Sequence, residues 1–326
     1  MKPKTAINVQ KTAMFTGHRN SIFALEKSKD DAVFYSAGSD GLVVAWDLND
    51  PDKGKLIAKV PNTVYAMCYV PEKHQLLVGQ NTEGIHFIDL YENKEVASLK
   101  LTDTAIFDIK YIAGKIYAGT GNGELIVIDA EHRNVLAKQK LSTQSLRRLA
   151  ISPTGQSIAA GYSDNAIRVF ATEGLRLLHE IPNAHGNSVF SLTYSPEGKF
   201  LVSGGRDAHL KVWDVAEMYE PFNSVVGHMY TINDIVYSPS GNYLATCSKD
   251  KSIKVWHADT FRLLKVIDKA RHAGHGTSVN KLLWLSNKSA SEEIATNQLI
   301  SASDDNTVST WDLQFNEDRI KQIIGK

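Results

Sequence analysis

The chain has 326 residues, 43% of them hydrophobic and 22% charged, which supplies ample material for a core. Lys plus Arg and Asp plus Glu number 36 each; this balance argues against a nucleic-acid binder, since phosphate recognition relies on net basic surface. No apolar run approaches a membrane span, and the opening MKPKTAINVQKTAMF lacks the apolar stretch of a signal peptide. A cytoplasmic address is expected, with the nucleus as the alternative.

In chain order, the first strand-like stretch is QKTAMFTGH, followed by SAGSDGLVVAWD ending at Asp47. Weaker copies of the latter follow: VGQNTEGIHFID ending at Asp89, GTGNGELIVID ending at Asp129 and AGYSDNAIRVF ending at Phe170. Strong copies return as SGGRDAHLKVWD ending at Asp214, TCSKDKSIKVWH ending at His257 and SASDDNTVSTWD ending at Asp312. A Gly-His or Ala-His pair precedes each strong copy. His18 to Trp46, His185 to Trp213 and His228 to Trp256 each span 28 positions, whereas His275 to Trp311 spans 36. The last unit therefore carries an insertion, LSNKSASEEIATN at about 285–297, which is polar and reads as a loop on the bottom face.

Trp46, Ile88, Ile128, Phe170, Trp213, Trp256 and Trp311 recur at steps of 42, 40, 42, 43, 43 and 55. Within each unit, short alternating runs such as Leu210-Lys211-Val212-Trp213 are separated by turn clusters such as Ser195-Pro196-Glu197-Gly198. With this period and these motifs, the sequence resembles the WD-repeat family over essentially its whole length. The resemblance implies an all-β fold: a closed seven-bladed β-propeller with four antiparallel strands per blade, forming one domain over 1–326. Residues near Asn8 to Phe15 are expected to latch the last blade. The tail at 314–326 either competes for that edge or, with Ile320, Ile323 and Ile324 at helical spacing, forms a short cap.

The family's hydrogen-bonded tetrad falls on His18, Ser36, Asp40 and Trp46 in blade one, and on His185, Ser203, Asp207 and Trp213 in blade five. In blade six it falls on His228, Thr246, Asp250 and Trp256, and in blade seven on His275, Ser301, Asp305 and Trp311. Such a set satisfies itself, because the indole only donates, the carboxylate accepts, and hydroxyl and imidazole do both. A Ser-His-Asp hydrolase triad is the other reading, and four copies at fixed spacing argue against it. His272 and His275 stand at H-x-x-H without a third ligand, and Gly119-Thr120-Gly121-Asn122-Gly123 precedes no helix, so neither a metal nor a phosphate cofactor is expected. Cys68 and Cys247 show no zinc spacing and read as buried thiols. Blades two to four have Val78, Ala118 and Ala160 at the hydroxyl position, and Thr82, Asn122 and Asp164 at the turn Asp. They are expected to be held by apolar packing alone and to open more readily.

Each inner strand begins with an aliphatic residue, from Ile22 to Val279, and has another apolar residue three positions later. That odd separation predicts a β-bulge after the first. The intervening residues Phe23, Tyr65, Phe107, Arg147, Phe190, Asn233 and Asn280 are then turned out of the core. The resemblance puts them at the top mouth of the central channel, where bound peptides are contacted. Without a bulge they are ordinary core packing. Arg206 and Lys249, before the turn Asp of blades five and six, add positive charge to that face, which suits an acidic or phosphorylated partner. The expected function is a non-catalytic scaffold binding other proteins or peptides, as a monomeric propeller within a larger complex, without membrane association. The alternatives are a propeller enzyme or small-ligand binder using the channel, where Asp108 and Asp234 are the nearby carboxylates, and RNA contact through stacked aromatics.

Overall fold

The computed structural model describes residues 6–287 and 296–325. Short runs of alternating residues form antiparallel hairpins, and seven four-stranded sheets result. Blade five is representative: Val189–Tyr194, Phe200–Gly205, His209–Asp214 and Glu220–Val226 run from the axis to the rim. A four-stranded sheet with two apolar faces cannot stand alone, so the blades stack. Each inner strand packs beside the next and the seventh packs beside the first, closing the ring. The core lies between blades. One cluster joins Phe15, Val308 and Ile300 of blade seven to Ile22, Val44 and Trp46 of blade one.

Blade seven is assembled from both ends of the chain. Its three inner strands are Val279–Asn287, Thr296–Ser303 and Val308–Phe315, and its outermost is Ile7–Phe15, with Ile7 opposite Phe315 and Phe15 opposite Val308. The tail does not compete for that edge. Gln314 and Phe315 end a strand, and Glu317–Ile324 is a helix capped by Asn316, whose side chain accepts from the Arg319 N–H at 3.2 Å. Ile320 is buried beside Ile7, Trp284 and Leu313, so the helix covers the cluster between blades six and seven.

The insertion is shorter than the sequence suggests. Leu285, Ser286 and Asn287 pair with Gln298, Asn297 and Thr296, so both ends of 285–297 belong to an extended hairpin, while 288–295 lies outside the described residues. Cys247 is buried, whereas Cys68 is only partly so.

Candidate functional site: the top face and the channel beneath it

The tetrads anchor the top-face loops. In blade one the Trp46 indole N–H donates to Ser36 Oγ at 2.7 Å, Ser36 Oγ meets His18 Nε2 at 2.7 Å, and His18 Nδ1 meets Asp40 at 3.0 Å. The same three contacts measure 2.9, 2.8 and 3.0 Å in blade five and 2.9, 2.8 and 2.9 Å in blade six. In blade seven they measure 2.9, 2.9 and 3.0 Å. Each Asp also accepts backbone N–H groups from two loops; Asp207 accepts from Gly186 at 2.7 Å and His209 at 3.2 Å.

Burial pushes the carboxyls of Asp207, Asp250 and Asp305 up, but their His partners and backbone donors outweigh it, leaving all three well below the usual carboxylate range. Burial holds His185 and His228 below the ordinary imidazole value. A neutral imidazole protonated on Nδ1 satisfies every group: indole to hydroxyl, hydroxyl to Nε2, Nδ1–H to carboxylate.

More than half of the chain matches the family model described as WD domain, G-beta repeat, over residues 9–47, 136–170, 176–214, 219–257 and 268–312. The chain belongs to the WD40 family. Curated relatives include the small ribosomal subunit protein RACK1 of Candida albicans, 29% identical over 48% of this chain and 39% of that one. The RACK1 of Caenorhabditis elegans is 28% identical over 47% and 38%, and that of Brassica napus 28% over 50% and 43%. The match thus spans well under two thirds of each relative's length. Among solved structures, the WD40 β-propeller domain of Doa1 superposes with a TM-score of 0.81 at 18% identity, covering 95% of this chain and 98% of that one.

Blades two to four, which lack the WD40 tetrad, do not rest on apolar packing alone. In blade two, buried Gln80 and His86 meet at 2.7 Å, and Glu83 joins Gln80 at 3.0 Å. In blade four, Arg168 pairs with Asp164 at 2.9 Å and Glu180 at 2.8 Å, with its guanidinium over the Tyr162 ring. Blade three has a smaller device, in which Thr120 Oγ1 donates to Asn122 at 2.6 Å. The apolar-only expectation fails because polar side chains two residues past the hydroxyl position or two before the Trp position find partners of their own in blades two and four. Thr82 has φ 69°, so it serves blade two's turn through its backbone.

All seven inner strands shift register at the predicted point, between Ile22 and Ala24 and at each equivalent position. Phe23, Tyr65, Phe107, Arg147, Phe190, Asn233 and Asn280 are half-buried and line one cavity of about 200 Å³ at the channel mouth. Phe23 and Tyr65 lie 5.2 Å apart, and Tyr65 and Phe107 5.3 Å, centroid to centroid. The Arg147 guanidinium continues the arc, 4.9 Å from the Phe107 centroid and 4.5 Å from that of Phe190, while its Nε donates to Ser163 Oγ at 2.7 Å. Asn233 and Asn280 complete the circle with their amides committed to the Val279 and Ile22 carbonyls, at 2.8 and 3.0 Å. Arg206 and Lys249 are exposed. Burial and the nearby Arg206 lower the Arg147 guanidinium from its usual value.

Beneath the ring, Asp108 and Asp234 belong to a charge network whose cations the sequence reading did not single out. Arg148, one residue after the ring position of blade four, reaches across the channel to Asp234 at 2.5 Å, and its Nε lies 3.6 Å from Asp108. Lys110 pairs with Asp108 at 3.2 Å, and Lys281 with Asp234 at 3.4 Å. Asp108 and Asp234 also accept the Leu149 and Leu282 backbone N–H groups of the following blades, at 2.8 and 3.0 Å. Both channel carboxylates are thus occupied structurally. Burial pushes Glu26 up to about 7, and burial together with Arg148 brings Lys281 down to about 8. Comparing residues 24, 66, 108, 148, 191, 234 and 281 across the repeats shows the signal: four of the seven are charged at a position that faces the axis.

Proposed function

We propose that this chain is a non-catalytic interaction scaffold that receives a segment of a partner protein on its top face. The observation carrying this reading is the arc of Phe23, Tyr65, Phe107, Arg147 and Phe190 around one cavity. Aromatic residues and arginine are the groups that typically anchor protein partners. They sit on the bulged ends of five neighbouring inner strands, so little ordering is needed on binding. Asp108 and Asp234 are held in ion pairs, which favours a binding mouth over a catalytic channel. The RACK1 relatives are named as small ribosomal subunit proteins, which is compatible with membership of a larger assembly and a cytoplasmic address. Among the described residues no helix is long and apolar enough to cross a membrane.

Arg147, Arg206 and Lys249 give this mouth a positive side, so the favoured segment is acidic or phosphorylated. The test is affinity capture from the source cell with wild type beside a folded variant carrying Phe23, Tyr65, Phe107 and Phe190→Ala. The reading expects one protein set retained by wild type and lost from the variant, and it fails if the set is unchanged. Arg206→Glu with Lys249→Glu should weaken capture of that set by about tenfold, two modest rim charges together. Undiminished binding rejects the acidic preference alone.

A further inference from the structure

The outer rim between blades seven and one carries a groove of about 550 Å³, with Gly17, Leu42, Val44, Leu56 and the edge of Trp46 among its walls. The three other tetrad blades fill the corresponding place with a lysine of the chain itself. In blades five and six that lysine stands two residues before the tetrad Trp. Lys211 Nζ donates to the Ala184 carbonyl and Lys254 Nζ to the Gly227 carbonyl, each at 2.6 Å and each just before the tetrad His. Lys211 Nζ also sits 5.8 Å from the centre of the Trp213 ring. Blade seven has Ser309 at that position and draws its lysine from the outer strand instead. Lys11, opposite Trp311, lies 5.7 Å over the indole and donates to the Ala273 carbonyl at 3.2 Å.

Blade one lacks both sources. Val44 stands where Lys211 and Lys254 do, and Gly54 stands opposite Trp46 where Lys11 opposes Trp311. A Cβ on Gly54 would come within 2.5 Å of the Trp46 ring, so that backbone position is closed to any larger residue as the strands lie. Among the described residues no side chain donates to the Gly17 carbonyl, the counterpart of the Ala184 and Gly227 carbonyls. Asp40, Asp52, Arg19 and Lys59 all line the groove, so its formal charge cancels and the carbonyl is the discriminating group.

We infer that this groove receives a lysine side chain from a partner protein, the ammonium donating to the Gly17 carbonyl and the stem lying against Leu42, Val44 and Leu56. The chemistry is read from the chain's own repeats: blades five and six place a primary ammonium on the equivalent carbonyl, and blade seven places one on the carbonyl a residue earlier, over the same indole. Blade four, with arginine at the equivalent position, turns it away to Asp164 and Glu180. The site is separate from the top-face mouth and does not depend on it.

The test is ¹⁹F NMR of protein labelled with 5-fluorotryptophan, which reports its five tryptophans separately, with Trp46 assigned through Trp46→Phe. The probes are acetyl-Gly-Lys-Gly-amide and its norleucine and arginine counterparts. The lysine peptide should move the Trp46 resonance alone and bind about tenfold more tightly than norleucine, as expected when a partly desolvated ammonium gains a hydrogen bond. Val44→Lys should abolish the response while leaving the other four resonances in place, and the quadruple top-face variant should keep it. Equal binding by norleucine or arginine, no movement at millimolar peptide, or a response surviving Val44→Lys would each overturn the assignment.

Discussion

Each tetrad is a one-way chain of donors, and that directionality makes its members interdependent. Ser203 accepts from Trp213 and gives its proton to His185, so Ser203→Ala strands an indole N–H and an imidazole nitrogen in the interior. Chemical denaturation should show a loss of about 2–3 kcal/mol, the cost of leaving buried partners unpaired. The loss should grow less as pH falls below the histidine range, where protonation already strains the wild-type set. His185 has a folded value below its unfolded one, so its stabilising contribution is complete above the unfolded value and declines as pH falls toward the folded one. Glu26 works in the opposite sense. Its folded value of about 7 exceeds the ordinary 4.5, so the unfolded chain ionises first and stability drops as pH rises between them. Glu26→Gln should therefore leave thermal stability unchanged at pH 4 and raise it at pH 8, by roughly 2 kcal/mol given partial screening in the channel. An equal effect at both pH values would contradict this account of Glu26.

At the scale of the strand, a three-residue spacing between two aliphatics was enough to locate the bulge, because a regular strand cannot bury both positions. The repeat period and the four tetrads were legible for the same reason: they recur within one chain. What sequence comparison missed were substitutes that do not occupy the tetrad positions. Arg168, Gln80 and His86 stand where no tetrad member does, and their partners are fixed only once strands are in register. Likewise Ser286 and Asn287 read as loop because polar residues in a two-stranded extension carry no core pattern. These substitutes change what is expected of blades two to four. Blade three, with a device confined to one turn, should exchange its amide hydrogens before blades four and five, and Arg168→Met should bring blade four down to its level. Uniform protection across blades three to five would refute the ranking.

For the molecule as a whole, a ring closed by pairing Ile7–Phe15 with Val308–Phe315 spreads the consequences of a local change around all seven blades. Arg148 is the sharpest case, since it joins blade four to Asp234 of blade six and lies beside Asp108 of blade three. Arg148→Met should cost about 3–5 kcal/mol, because two buried carboxylates lose their shared partner. A loss below about 1 kcal/mol, the worth of a surface pair, would show that the network is not a structural tie. The same network fills the channel beneath the ring with paired protein charges, which is why the proposed binding is placed at the mouth above it. The most direct test of that assignment is site-specific photo-crosslinking in the source cell, with benzoylphenylalanine placed at Tyr65 on the top rim or at exposed Ser240 in a bottom-face turn. The account predicts a discrete partner adduct from Tyr65 and none from Ser240. The reverse pattern would contradict it.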